Sequence, residues 1–322
     1  MELYKITICP VNSFCSPLQS DTFFGAFCWS YLHLYGEEKL KKLIQNYKNA
    51  NPEIIFSNAF FKGFLPAPFS GIIKTGDENV SLSKQEKYQK YIEKKKTENL
   101  AYLSLEEFNL AINGEYNKIP TNCQEPVEEQ KVMVWRNLVG RETGTVGSVD
   151  SGESLFEMEE TFYSGEYDVY LYSSLDVKVL EETLEEMFFS GIGAKRSVGK
   201  GAFRITKRLE VFQEFQIPAE PNGFLALSNF IPGKEDPTEG YYQAFVKYPK
   251  LSESSSEGDS PFKKPLIFLN AGSVFYDNPV RNYYGSCIER IALKENKISD
   301  QIIVGAYTIA IPCILPKELG LN

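Results

Sequence analysis

Two periodicities alternate along the chain, and their order predicts an architecture. Leu3–Cys9 alternates apolar and polar positions, the signature of a half-buried strand. In Thr22–Tyr35, Phe23, Phe24, Phe27, Tyr31 and Leu34 recur at helical spacing; Ser20-Asp21 is the predicted N-cap and Gly36 the stop. Glu37–Lys48 predicts a second helix, with Leu40, Leu43, Ile44 and Tyr47 on one side. Ile54–Phe61 reads as a strand, stopped by Leu65-Pro-Ala-Pro68. Leu155–Tyr163 and Tyr167–Ser173 predict two more strands around Ser164-Gly165-Glu166. Leu175–Phe189 is the clearest helix. Val179, Leu180, Thr183, Leu184, Met187 and Phe188 form its apolar stripe, and Glu181, Glu182, Glu185 and Glu186 its polar face. Ala202–Val211 follows as a strand.

Between these elements, Gly71–Pro126 has the character of an insertion. Lys84, Lys87, Lys90, Lys94, Lys95 and Lys96 lie on one apparent helix, which reads as a solvated face rather than an auxiliary RNA contact. Ser104 begins a short helix with Leu105, Phe108 and Ile112 as its apolar side. Val132–Thr143 holds Trp135-Arg136-Asn137-Leu138-Val139-Gly140-Arg141, and the glycines at 144, 147 and 152 that follow make the next segment a mobile loop or hairpin tip. Without the insertion, the order is β-α-β-β-α-β, a ferredoxin-like arrangement with one sheet face under helices and the other free for a ligand. The rest is strand-rich: Gly223–Ile231, Tyr241–Tyr248, Pro265–Tyr276 and Ile302–Cys313, with a short helix expected at Ser286–Leu293. Ser252–Ser260 reads as a disordered, acidic, low-complexity loop. The expected fold is α+β with two ferredoxin-like (RRM-like) domains. They are residues 1–208, carrying an insertion at 71–150, and residues 209–322, more degenerate.

Charge sharpens the picture. The 322 residues carry 34 basic and 43 acidic side chains, a net of 34 − 43 = −9, which argues against a general nucleic-acid binder. The distribution is segregated. Asp150–Glu186 holds twelve acidic residues and one basic one, Lys178. Gly191–Leu209 holds six basic residues and no acidic one. The six cysteines show no Cys-x-x-Cys pair, so they read as reduced thiols in a cytoplasmic protein without a secretory signal. No apolar run reaches the roughly 18–20 residues that span a bilayer.

Gly191-Ile-Gly-Ala-Lys-Arg-Ser-Val-Gly-Lys-Gly201 combines glycine and basic residues as no other stretch does. Such a loop brings backbone N–H groups close to an anion. It is not a Walker loop, because Ala194 and Gly201 occupy the places of the first glycine and the hydroxyl. It is not a dinucleotide fingerprint, because Arg196 takes the third glycine's place and the helix precedes the strand. A nucleic-acid phosphate remains the best guest, against a flexible loop with scattered charges. Lys195, Arg196 and Lys200 are the candidate phosphate ligands, with Gly191, Gly193, Gly199 and Gly201 admitting the backbone. Arg136, Asn137 and Arg141 form a second cluster beside Trp135, which on its own reads as packing.

Catalytic chemistry is sparse. The single histidine, His33, reads as a surface or partly packed residue; a metal-independent ribonuclease could use it as general acid or base. No hydrolase elbow, zinc spacing or EF-hand pattern occurs, so neither a metal nor a cofactor is expected.

Residues 191–203 resemble the glycine-rich loop of the RAMP proteins of CRISPR systems. Ser20-Asp-Thr-Phe-Phe-Gly25, Ser57-Asn-Ala-Phe60, Leu65-Pro-Ala-Pro68 and Arg136-Asn-Leu-Val-Gly-Arg141-Glu-Thr-Gly144 narrow the likeness to the Csm subunits that cap the guide's 5′ end in type III-A complexes. Ser228–Pro232, Gly272–Phe275 and Gly305–Tyr307 extend it into the second half, with Ala306 where relatives often carry a loop's second glycine. The resemblance implies a non-catalytic scaffold. It would hold the crRNA 5′ handle and join the large polymerase-like subunit to the backbone RAMP subunit. Lys195, Arg196 and Lys200 would grip phosphates, Ser197 and the glycines would supply backbone contacts, and Arg136, Asn137 and Arg141 would meet RNA and the neighbouring subunit. Ser20 and Asp21 would begin the RNA side of the first helix.

Overall fold

The fold is that of a computed structural model, described over residues 1–69, 100–120, 126–127, 129–137, 155–250, 263–291, 293–294, 297–298 and 302–316. The expected Lys84–Lys96 helix, the Ser252–Ser260 loop, Cys123 and Arg141 lie outside these residues.

The alternating and helical stretches of the first half become β1 (Glu2–Pro10), α1 (Ser20–Tyr35), α2 (Glu37–Lys48) and β2 (Ile54–Phe61). β3 (Phe64–Pro66) pairs with β4 (Tyr102–Ser104), and α3 (Leu105–Ile112) follows. Then come β5 (Gln130–Asn137), β6 (Leu155–Phe162), β7 (Tyr167–Ser173), α4 (Val177–Ser190) and β8 (Phe203–Val211). Four strands form an antiparallel sheet in the order β2-β7-β1-β8. With α1 between β1 and β2 and α4 between β7 and β8, the expected β-α-β-β-α-β path is observed for this sheet.

Helices α1 and α4 cover one face. Phe23 and Phe27 meet Phe56 of β2, and Leu180, Thr183, Leu184, Met187 and Phe188 of α4 are buried, as the stripe predicted. The opposite face is not free along its length. Tyr170 alternates with the helix-facing Val169 and Leu171 and packs against Phe212 and Phe215, while Phe108 of α3 backs Phe215. These large side chains have apolar surface to bury, and the chain leaving β8 folds back to cover it.

One local expectation changes. α1 starts at Ser20, so Ser20 is not its cap: the preceding Gln19 makes no side-chain cap bond, and the Ser20 N–H donates to Asn58 Oδ1 of β2 at 3.1 Å. β5 pairs along its whole length with β6 as a two-stranded ribbon, and the expected hairpin tip after Thr143 lies outside the described residues.

The second half contributes β9 (Gly223–Ala226), β10 (Gly240–Tyr241), β11 (Ala244–Lys247), β12 (Leu266–Leu269), β13 (Val274–Tyr276), β14 (Tyr283–Ile288), β15 (Leu293–Lys294), β16 (Lys297–Ile298) and β17 (Val304–Cys313). Five of them form an antiparallel sheet, β10-β13-β9-β17-β14. Among the described residues after 208 there is no helix. The stretch expected as a helix from Ser286 begins instead as strand, paired in register with β17. Gly305-Ala306-Tyr307 is not a loop either, because it lies inside β17. Gly305 has a packing reason: a Cβ there would stand 2.7 Å from the Phe24 ring and 2.9 Å from that of Tyr47.

One hydrophobic core runs through both halves. Leu225, Leu227, Val274 and Ile309 belong to the same buried cluster as Phe23, Leu43 and Phe56. Polar groups stitch the seam. Ser228 Oγ donates to Phe56 O (2.7 Å), Ser20 Oγ to Asn229 O (2.9 Å) and Asn58 Nδ2 to Asn229 Oδ1 (3.1 Å).

Candidate nucleic-acid interface

α4 ends where Gly191 takes φ 88°, and the loop to β8 stays in unusual backbone space. Gly193, Lys195, Gly199 and Gly201 also have positive φ. Ile192 N donates to Gly201 O at 2.8 Å and closes the loop's neck; Gly201 N donates to Ser13 O at 3.1 Å. A Cβ on Gly201 would overlap the Ile192 carbonyl, and one on Gly193 would stand 2.5 Å from Ser16 Cβ. These glycines are required by close approach as well as by φ.

At the tip, Lys195 is left-handed (φ 65°) and precedes a single 3-10 turn, Arg196–Val198. Lys195 O accepts from Val198 N (3.2 Å) and Lys200 N (3.1 Å), and Ala194 N donates to Ser16 Oγ (2.9 Å). The N–H groups of Lys195, Arg196 and Ser197 have no acceptor among the described residues. Consecutive open N–H groups across a left-handed to right-handed junction form an anion-binding nest. Lys195 and Arg196 have no carboxylate partner among the described residues; the Lys195 ammonium lies 5.6 Å from the Phe156 ring centre. Ser197 and Gly199 are exposed.

Lys200 is different. Its ammonium donates to Ser13 Oγ (2.6 Å) and Glu160 Oε2 (2.7 Å), and its side chain is only 18% exposed. Arg136 donates to the other carboxylate oxygen of Glu160. Two residues expected at RNA are thus tied to one buried carboxylate. Burial alone would raise the Glu160 carboxyl, but hydrogen bonds from Lys200, Ser13 and Arg136 outweigh it and hold the group at about 2. The cluster carries one carboxylate and two cations, so it leaves a net positive charge beneath the loop.

The remaining site residues fall in two places. Asn137 ends β5 and is exposed; Trp135 is 59% exposed and not core, on the ribbon face away from Arg136. Ser20 and Asp21 serve the seam between the halves. Ser20 is buried, and Asp21 Oδ1 accepts from Lys247 Nζ at 2.6 Å. Glu160 and Ser13, which anchor the loop, were missed by sequence reasoning. The only signal would have been a strand-borne Glu among twelve acids, with nothing to mark it. His33 Nδ1 lies 3.2 Å from Glu186 Oε1 on the exposed side of α1 and α4. Among the described residues no His/Cys/Asp/Glu cluster suits a metal, and no helix is long and apolar enough to cross a membrane.

No curated protein matches the chain by sequence. Solved structures share its fold. A chain of the crystal structure of a Csm1-Csm4 cassette in complex with pppApA superposes with a TM-score of 0.60 at 17% identity, covering 99% of this chain and 100% of the other. The cassette with AMPPNP gives 0.60 at 18%, with the same coverage. The Csm3-Csm4 subcomplex of a type III-A CRISPR-Cas interference complex gives 0.59 at 15%, covering 97% and 99%. The match in these assemblies is to Csm4. The family model of the RAMP superfamily matches residues 12–204, from the segment that anchors the glycine-rich loop to the strand that follows it. The chain belongs to the RAMP superfamily.

Proposed function

We propose that the chain is a non-catalytic, cytoplasmic subunit of a type III-A interference complex that holds the 5′ handle of the crRNA. It would bridge the large polymerase-like subunit to the backbone RAMP subunit in antiviral defence. The observation that carries this reading is the coincidence, at one loop tip, of three N–H groups and two cations without acceptor or carboxylate partners among the described residues. Lys195, Arg196, Ser197 and the loop glycines take phosphates. Lys200 and Arg136 act underneath, through Glu160. The fold likeness to Csm4 in assemblies with Csm1 and with Csm3 supports the partner assignment. In this reading residues 1–208 and 209–322 are two RAMP units joined by a shared core, the second reduced to its sheet.

The test is the salt dependence of crRNA binding by the assembled complex. Lys195→Ala with Arg196→Ala should lower the slope of log K against log salt by about 1.4, at roughly 0.7 per single-strand phosphate contact. An unchanged slope refutes the loop's role. One observation favours a second reading: His33 and Glu186 form a pair able to move a proton. Metal-independent cleavage of repeat RNA, lost in His33→Ala, would establish a ribonuclease instead.

A further inference from the structure

The second sheet has two apolar faces, and only one of them meets the first half. Side chains alternate along its strands. Leu225, Val274, Ile309 and Ile311 enter the core shared with α1 and α2. Their neighbours Phe224, Ala226, Phe275 and Ala310 turn the other way, into a smaller cluster with Phe230, Leu269 and Tyr284. No helix covers this outer face among the described residues. At one side a loop shields it: Val280 packs on the cluster, and the Arg281 guanidinium lies 4.1 Å from the Tyr284 ring centre.

At the other side the apolar surface runs out into solvent along the β11–β12 ribbon. Ala244 pairs with Leu269 and Val246 with Ile267, so these four side chains share one face. Leu269 is buried in the outer cluster, whereas Val246 is 53% exposed and Ile267 63%. Tyr242 and Tyr248 continue the same alternation and are exposed; Tyr242 stacks on Phe275 at 5.4 Å. The ribbon's other face is occupied. Phe245 stacks on Phe268, and Lys247 reaches Gln19 and Asp21 of the first half.

Single exposed apolar side chains are ordinary, but a contiguous stripe with a polar rim marks an interaction surface. The rim is basic. Residues 241–250 and 263–270 hold Lys247, Lys250, Lys263 and Lys264 and no acidic residue, in a chain of net charge −9. The centre of the stripe is Val246 and Ile267, which offer no flat ring for a base to stack on. Apolar side chains with tyrosines beside them and charges only around them are what protein interfaces bury.

We propose that the outer face of the β11–β12 ribbon docks the large polymerase-like subunit, which meets it with an apolar patch rimmed by acidic residues. The inference rests on the reading that the chain bridges two subunits. Arg136 and Asn137, assigned to the backbone subunit's side, lie on β5 in the first half, which leaves this ribbon for the second partner.

The test is calorimetric titration of the full chain with the purified large subunit and, separately, with the backbone subunit. Val246→Asp with Ile267→Asp should weaken large-subunit binding at least about thirtyfold, the effect of losing an interface hot spot. Backbone-subunit binding and the salt slope of RNA binding should not change. Both positions are exposed, so the thermal midpoint should hold; Tyr248→Ala, which adds no charge, should weaken the same binding about tenfold. Lys264→Glu should slow association with the large subunit and flatten its salt dependence. Val177→Asp, at an exposed valine on α4, should alter none of these. Wild-type affinity of the double variant for the large subunit overturns the ribbon assignment, as does loss of the backbone subunit or of the RNA salt slope instead. A wild-type chain that self-associates, and that the double variant makes monomeric, assigns the face to a second copy and overturns it too. Should the wild-type chain bind the backbone subunit but not the large one, the bridging reading fails, and the docking assignment with it.

Discussion

Glu160 shows how much one side chain decides. It is 1% exposed, yet it is charged, because Lys200, Ser13 and Arg136 surround its two oxygens. Glu160→Gln leaves Lys200 buried beside a neutral amide. Breaking a buried pair costs about 3 kcal/mol, so the urea midpoint should fall by that equivalent. The pH dependence has a definite sign. The folded-state carboxyl is depressed to about 2, so its stabilisation is complete above the unfolded value and lost as pH falls through about 2. The loss is on the order of 3 kcal/mol between about pH 4.3 and pH 2, and the Gln variant should lack that part of the acid transition. Gly201→Ala should be as damaging locally. The new Cβ meets the Ile192 carbonyl at a backbone with φ 74°, a penalty of about 1–2 kcal/mol for conformation alone. RNA binding and thermal midpoint should fall together. Lys195 and Lys200 look alike in the sequence, and only the fold separates them. The partner that withdraws Lys200 lies 40 residues away on another strand.

Elements with local signals were legible, and those set by tertiary contacts were not. Ser104 reads as a helix start and is one: its hydroxyl accepts from Glu107 N while Glu107 returns a bond to Ser104 N. Ser104→Ala should cost about 1 kcal/mol in a urea titration. Ser20 is the first residue of an equally clear helix, and its N–H is met by Asn58, 38 residues on, which no local rule could supply. The stripe of α4 named its own buried face because a helix packed on one sheet has only one choice. β5 carries no clear strand signal because its side chains are mostly exposed; among the described residues it pairs with β6 alone. The second half split where expected strands were too long. Pro265–Tyr276 turns at Asn270–Ser273, giving β12 and β13 to different sheets.

At the scale of the molecule, the seam between the halves is a structural joint rather than a linker. Asp21, 8% exposed at its side chain, accepts from Lys247, and the half-buried Lys263 sits near both with its pKa lowered, mainly by burial. Lys247→Ala removes the hydrogen-bonded cation from Asp21, leaving Lys263 nearby, and should destabilise by about 3 kcal/mol. Because the core is continuous, that loss should appear in one transition, seen alike by probes in β7 and β17. Two transitions would mean that the halves fold separately.

The closed neck of the glycine-rich loop has a kinetic meaning. Ile192–Gly201, Ser13–Gly201 and the Lys200–Glu160 pair hold the loop's base through the chain's own contacts. Under the proposed function, a guide strand would meet a loop whose neck is already closed. Encounter should then follow electrostatic steering alone, single-exponential and linear in RNA concentration, and differences in grip among loop variants should reside in dissociation.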